Sequence, residues 1–164
     1  MKIRLIKPSD AKEFLDLCKH VEKSGFMLYE AGERTTTVEQ QVKAIEGILA
    51  QKKSTVFVAE AEEGLVGYLM IIGGTLKRIQ HKAYLVLGVD ENYRGQGVAT
   101  RLFHQAFTWA KEKEITRLEL TVMKHNTKAF NLYRKMGFII EGEKVNSLMI
   151  EGEPVNEYYL YKLL

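Results

Sequence analysis

Residues Tyr93–Leu102 read YRGQGVATRL, a cluster of small residues behind an arginine. Upstream lies AYLVLGVD (83–90), unusually apolar, as a central strand buried on both faces would be. Downstream, Val98, Leu102, Ala106 and Trp109 recur at helical spacing. The junction is therefore a strand-to-helix turn in which Gly95, Gly97 and Ala99 leave the main chain bare. Each missing side chain costs order and returns only backbone access. Unpaired amides at the positive end of a helix dipole suit pyrophosphate, and Arg94 can add a charged contact. A plain helix N-terminus with permissive turn residues is the alternative for a bare Gly-x-Gly.

Working outward, IRLI (3–6) is a short strand, and KPSDAKEF (7–14) opens a helix with Ser9 as N-cap. Ala11, Phe14, Leu15, Cys18 and Val21 form its apolar face, and Gly25 stops it. After the loop SGFMLYEAGERT (24–35), Thr37 and Gln40 make a capping box, and Val38, Val42, Ile45 and Leu49 are the stripe of a second helix. TVFVAEAEEGLVGYLMII (55–72) is two β-rich runs split at EEG, a hairpin. Beyond the central turn come the strand RLELTV (117–122) and the helix NTKAFNLYRKMGF (126–138). That helix has Asn126 as cap, Ala129, Leu132, Tyr133 and Met136 as stripe, and Gly137 as stop. FIIEGEKV (138–145) and NEYYLYKLL (156–164) are closing strands. The order predicts an α+β fold: a mixed, mostly antiparallel sheet of about seven strands flanked by about four helices, with one strand–helix–strand crossover.

The length, 164 residues, is that of one ordinary domain, so residues 1–164 are read as a single domain. With 46% hydrophobic and 27% charged residues, and no apolar run near the roughly 18 residues of a membrane span, the chain is expected to be a soluble, cytoplasmic protein. MKIRLIKPSD lacks the continuous apolar core of a signal peptide. The 24 basic and 21 acidic residues are mixed along the chain, and a net charge of +3 is too mild for a nucleic-acid stripe. Cys18 has no partner for an internal disulfide and falls on an apolar helix face. His20, His81, His104 and His125 show no i, i+4 pairing and no nearby cysteine, so no metal site is expected.

Two familiar phosphate loops fail on the letters. A P-loop needs lysine after its second glycine, where Val98 stands, and a Rossmann fingerprint needs a third glycine where Thr100 stands. The antiparallel neighbours also disfavour a dinucleotide-binding domain.

VDENYRGQGVATRL (89–102) resembles the acetyl-CoA-binding motif of the GNAT N-acetyltransferase superfamily, Arg/Gln-x-x-Gly-x-Gly/Ala, at Arg94, Gly97 and Ala99. NTKAFNLYRKMGF is similar to that family's second cofactor element, an Asn before a helix carrying Leu-Tyr and ending in Gly-Phe. The resemblance implies that Arg94, Gly95, Gln96, Gly97, Val98 and Ala99 hold the coenzyme A pyrophosphate, with Thr100 as a hydroxyl contact. It implies that Leu87, Gly88 and Val89 leave their neighbouring strand at a bulge to pair with the pantetheine arm; a packing reason for Gly88 is equally open. Tyr133 becomes the general acid beside the thioester sulfur, against its reading as one more apolar-face residue. Asn126 carries both a cap and a cofactor reading, and His125 is either a cofactor contact or a surface residue.

AYLVLGVD departs from family members that carry a carboxylate on this strand, which favours a water chain over a directly placed base. Glu30 and Glu33, in the loop that walls the family's acceptor site, are candidates for holding or deprotonating the acceptor, or else solvated loop carboxylates. With Glu151, Glu153 and Glu157 they suggest a small cationic amine such as a polyamine, aminoglycoside or lysine-like amine. The implied function is transfer of acetyl from acetyl-CoA to a primary amine by direct attack in a ternary complex, without a metal. A non-catalytic CoA-binding regulatory module and a protein N-terminal or lysine acetyltransferase are the alternatives, and a homodimer is left open.

Overall fold

A computed structural model describes residues 1–164. The elements are β1 (Lys2–Leu5), α1 (Ala11–Glu22), α2 (Val38–Leu49), β2 (Thr55–Ala61), β3 (Gly64–Gly73), β4 (Lys82–Val89), α3 (Val98–Glu112), β5 (Arg117–Met123), α4 (Thr127–Lys135), β6 (Ile139–Ile150) and β7 (Glu153–Leu163). They build one seven-stranded sheet in the order β1-β2-β3-β4-β5-β7-β6. Every neighbouring pair is antiparallel except β4 and β5, which are parallel across the α3 crossover. This is the predicted α+β architecture. No helix is long and apolar enough to cross a membrane.

Two apolar clusters hold helices to the sheet. On one face Val98, Leu102, Phe103, Ala106 and Ala110 of α3, with Tyr133 and Met136 at α4, meet Leu85, Leu118, Leu120 and Leu160. On the other, Phe14, Cys18 and Val21 of α1 and Ile45 of α2 pack over Val56, Val58 and Tyr68. Burial pushes the Cys18 thiol up to about 11, which leaves it protonated and inert at neutral pH.

Three local expectations change. Ser9 does not cap α1: Pro8–Asp10 form a 3-10 turn, and the Asp10 carboxylate accepts the Lys7 amide at 2.7 Å while Arg4 forks onto it. The Thr37–Gln40 capping box is present, but Val38 and Leu49 are exposed, and α2 buries Gln41 and Ile45 instead. Strand β4 is not buried on both faces, since Tyr84 is 37% exposed.

That exposure follows from how β4 meets β5. The two pair only at Lys82↔Arg117, Ala83↔Leu118 and Tyr84↔Glu119, and beyond Tyr84 they diverge into an open V. The pairing with β3 runs in unbroken register to Gly67↔Val89, so divergence needs no bulge in β4. Gly88 is explained by packing: a Cβ there would lie 2.5 Å from the Tyr68 ring.

Candidate active site

The V opens into a cavity of about 1310 Å³ bounded by β4, β5, the N-terminus of α3, α4, the segment after α1, and β6–β7. At one end is the glycine turn. Gly95 and Gly97 have φ of +72° and +79°, a left-handed conformation that glycine adopts without strain. Gly97 is the N-cap of α3 and offers no side chain, so the first helical hydrogen bond is Arg101 N–H to Gly97 O at 3.0 Å. As a result the six successive amides from Gly95 to Thr100 find no acceptor within the protein. Such a row of donors at the positive end of a fifteen-residue helix suits phosphate oxygens.

The predicted residues of this turn divide by what they offer. Arg94, Gly95, Gly97, Val98, Ala99 and Thr100 line the cavity. The Gln96 side chain does not, because its Nε2 donates to Asn92 O at 3.0 Å; only its main-chain amide joins the row. The Arg94 guanidinium reaches back to Val89 O at 3.4 Å.

Along β4 the Asp90 N–H bonds to Val66 O on β3, which fixes the alternation upstream. Leu87 and Val89 turn their N–H and C=O groups into the V, where no strand pairs with them, whereas Gly88 directs its main chain to β3. Leu87 and the Val89 N–H therefore offer a free β edge, the Val89 carbonyl being taken by Arg94, and Gly88 contributes cavity wall without main-chain donors.

Tyr133 enters from α4, whose N-cap is Asn126; the Asn126 carboxamide oxygen accepts the Ala129 amide at 3.4 Å, so the cap reading holds while Asn126 also lines the cavity. The Tyr133 ring packs edge-on against Phe103 (5.9 Å between centroids) and Phe138 (6.2 Å). Tyr133 lines the cavity, and its hydroxyl makes no hydrogen bond to a protein group. Burial, with a smaller contribution from Tyr84, raises this phenol above its ordinary range, so it remains a proton donor at neutral pH.

The wall opposite α4 is polar, a feature not read from the sequence. On β5, Leu118, Leu120 and Val122 face the α3 core, while Arg117, Glu119 and Thr121 alternate onto the cavity side. The Tyr84 and Thr121 hydroxyls meet at 2.8 Å across the V just beyond its vertex. Period-two polarity in RLELTV was the available signal, because a core strand that alternates presents one wet face. Arg117 and Lys82 neutralise Glu119, at 2.9 and 3.1 Å.

Glu30 and Glu33 are not part of this wall. The loop turns sharply at Gly32 (φ +83°), so that the Glu33 carboxylate accepts the Glu30 amide at 3.0 Å, and both residues are exposed outside the cavity. Of their segment it is Ser24, Phe26, Met27 and Leu28 that line it. His125 packs at a tilt against Phe26 with centroids 5.3 Å apart and does not itself line the cavity. Glu151 and Glu153 lie at the β6–β7 turn outside the cavity, while Glu157 lines it.

Comparisons with known proteins bear on the family and the fold. The L-amino acid N-acetyltransferase AaaT of Escherichia coli is 32% identical over 65% of this chain and 66% of its own length. The spermidine N(1)-acetyltransferase of Escherichia coli is 30% identical over 59% of this chain and 52% of its own length. The match thus spans just under two thirds and about half of these relatives. The crystal structure of an acetyltransferase of the GNAT family from Streptococcus pneumoniae superposes with a TM-score of 0.95 at 27% identity, covering 99% of both chains. The Acetyltransferase (GNAT) family profile matches residues 18–138, which takes in the glycine turn, the V and Tyr133, and the chain belongs to that family.

Proposed function

We propose that the protein transfers the acetyl group of acetyl-CoA to the amine of a small molecule, by direct attack in a ternary complex. The observation that carries this reading is Tyr133, its hydroxyl free of protein hydrogen bonds, lining the same continuous cavity as Gly95, Gly97, Val98, Ala99 and Thr100 of the α3 turn with their unpaired amides. Acetyl-CoA supplies a thioester carbonyl that an amine attacks, with cleavage of the C–S bond. The amides Gly95–Thr100 and Arg94 hold the pyrophosphate, and the free edge at Leu87 and Val89 pairs with the pantetheine amides. Tyr133 gives its proton to the departing sulfur and regains one from solvent, while the attacking nitrogen loses a proton through water in the polar wall. An alkylammonium is neutral only about once in 2,500 molecules at pH 7, so this deprotonation is a substantial part of the task.

Acetyl-CoA is expected to stabilise the protein by about 2.7 kcal/mol at a hundredfold excess over Kd, read as a rise in melting temperature, while NAD and ATP give no comparable rise. A screen of amines for free-thiol release then separates an acetyltransferase from a CoA-binding module. A melt unmoved by saturating acetyl-CoA overturns the reading.

Gly97→Val tests the turn itself. A β-branched residue at φ +79° is strained by about 1–2 kcal/mol, although nothing occupies the space around a Cβ there. The turn relieves that strain by rotating its amides out of convergence. Acetyl-CoA Kd, measured by calorimetry on the folded variant, is expected to rise about tenfold. Unchanged affinity would make the turn a purely structural one.

A further inference from the structure

Three carboxylates border the cavity, Glu119, Glu141 and Glu157, and the structure treats them differently. Glu119 is held by Arg117 and Lys82, and Glu141 by Arg117. Glu157, on β7, has no cationic partner. The lysines on its flanking strands are engaged elsewhere. Lys144, its register partner on β6, lies over the Tyr159 ring at 5.7 Å, and Lys124, next to its β5 partner Met123, pairs with Glu143 at 2.8 Å.

The surrounding structure holds this one carboxylate in place. The β6–β7 ladder breaks between Lys144 and Leu148, and Asn146 within the break takes a φ of +50°. Asn156, the residue before Glu157, pins the break: its Oδ1 accepts the Asn146 amide at 2.8 Å, and its Nδ2 donates to Glu143 at 2.9 Å. The irregular turn delivers the Ser147 hydroxyl to Glu157 Oε1. One carboxylate oxygen is thereby fixed, and Oε2 makes no protein hydrogen bond. A half-buried, oriented carboxylate without a counter-ion, in a cavity that already neutralises its other two, is fitted to a cation from outside.

We propose that Glu157 binds the ammonium group of the acceptor and so selects cationic amines, with Ser147 as the positioning residue that holds the carboxylate. This rests on the acetyl-transfer reading of the cavity. The ligand class is an alkylammonium carried on a flexible chain, such as a polyamine or diamine.

The test compares wild type with Glu157→Gln, which keeps the acceptor for the Ser147 hydroxyl and therefore the local fold. The probes are spermidine and 1,5-diaminopentane, by initial-rate kinetics and by thermal shift of the CoA-loaded protein. Loss of a charge-assisted hydrogen bond is expected to raise KM for both amines about 10- to 100-fold and to abolish their thermal shift, while the acetyl-CoA shift stays as in wild type. The salt dependence of KM should flatten as well. Ser147→Ala is expected to raise the same KM several-fold, with rescue by Ser147→Thr. If acetyl-CoA does not stabilise the wild type, the reading of the cavity fails. If acetyl-CoA binds but Glu157→Gln keeps the wild-type amine KM, or the wild type neither acetylates nor binds either amine, the assignment of Glu157 is overturned.

Discussion

Arg34→Met is expected to lower the unfolding free energy by about 3–5 kcal/mol, read as a shift of the urea midpoint at unchanged slope. Arg34 Nε sits 2.6 Å from Glu22 Oε1, with the two side chains 19% and 3% exposed. Glu22 is buried at the end of α1, and its second oxygen, Oε2, has no hydrogen-bond partner at all. Methionine retains the apolar stem of arginine, so what is removed is the charged guanidinium. The carboxylate must then stay buried unpaired or take up a proton, and either is costly at neutral pH. Adding Glu22→Gln should recover part of the loss, because a neutral amide tolerates the site better than an unpaired charge. A loss below about 1 kcal/mol would mean that water enters and solvates Glu22.

The same pair links stability to the site. Arg34 also lies over the Tyr29 ring at 4.2 Å, so it ties the middle of the segment between α1 and α2 to the end of α1. Phe26, Met27 and Leu28 of that segment wall the cavity. Loss of Arg34 should therefore loosen this cavity wall as well as the fold.

Much of this architecture is written in local chemistry. Thr37–Gln40, the hairpin at EEG, Asn126 with Gly137, and the glycines at 95 and 97 are readable because each depends on residues within a few positions. Where a partner far along the chain decides, the local rule loses. Ser9 has the right chemistry for a cap, yet Asp10 prevails because Arg4 and the Lys7 amide converge on its carboxylate. Val38 and Leu49 fit a helical stripe, but the face of α2 that meets the body is set by where α1 lies. Glu30, Glu33 and Glu157 are equally acidic on paper. Only the fold turns the first two back on their own loop and brings Glu157 to the cavity beside an irregular stretch of β6. The Tyr84–Thr121 hydroxyl pair was invisible for the same reason, since it spans 37 residues and two diverging strands.

Tyr133→Phe is expected to lower kcat about 10²-fold on the true acceptor, at the low end of what general acid catalysis contributes. The ring is what packs: Phe103 and Phe138 contact it edge-on, and the hydroxyl makes no bond to the protein. Phenylalanine therefore keeps the fold and the cavity wall, and acetyl-CoA should stabilise the variant as it does wild type. What disappears, on the proposed role, is the proton offered to the leaving sulfur. A thiol with an ordinary pKa near 8.5 leaves more readily than an alkoxide, so water can substitute in part and activity should not vanish. Burial raises the Tyr133 phenol, so it stays protonated past its ordinary pKa of about 10 and the acid should not be lost on the alkaline side of the wild-type profile below that pH. A rise of kcat with pH then reports deprotonation of the attacking amine, and it should persist in Tyr133→Phe at a uniformly lower rate. Equal losses in kcat and kcat/KM for acetyl-CoA would place the missing interaction in the transition state alone. A well-folded Phe variant with wild-type kcat, measured where chemistry limits turnover, would return Tyr133 to the α3 core and leave protonation of the thiolate to water.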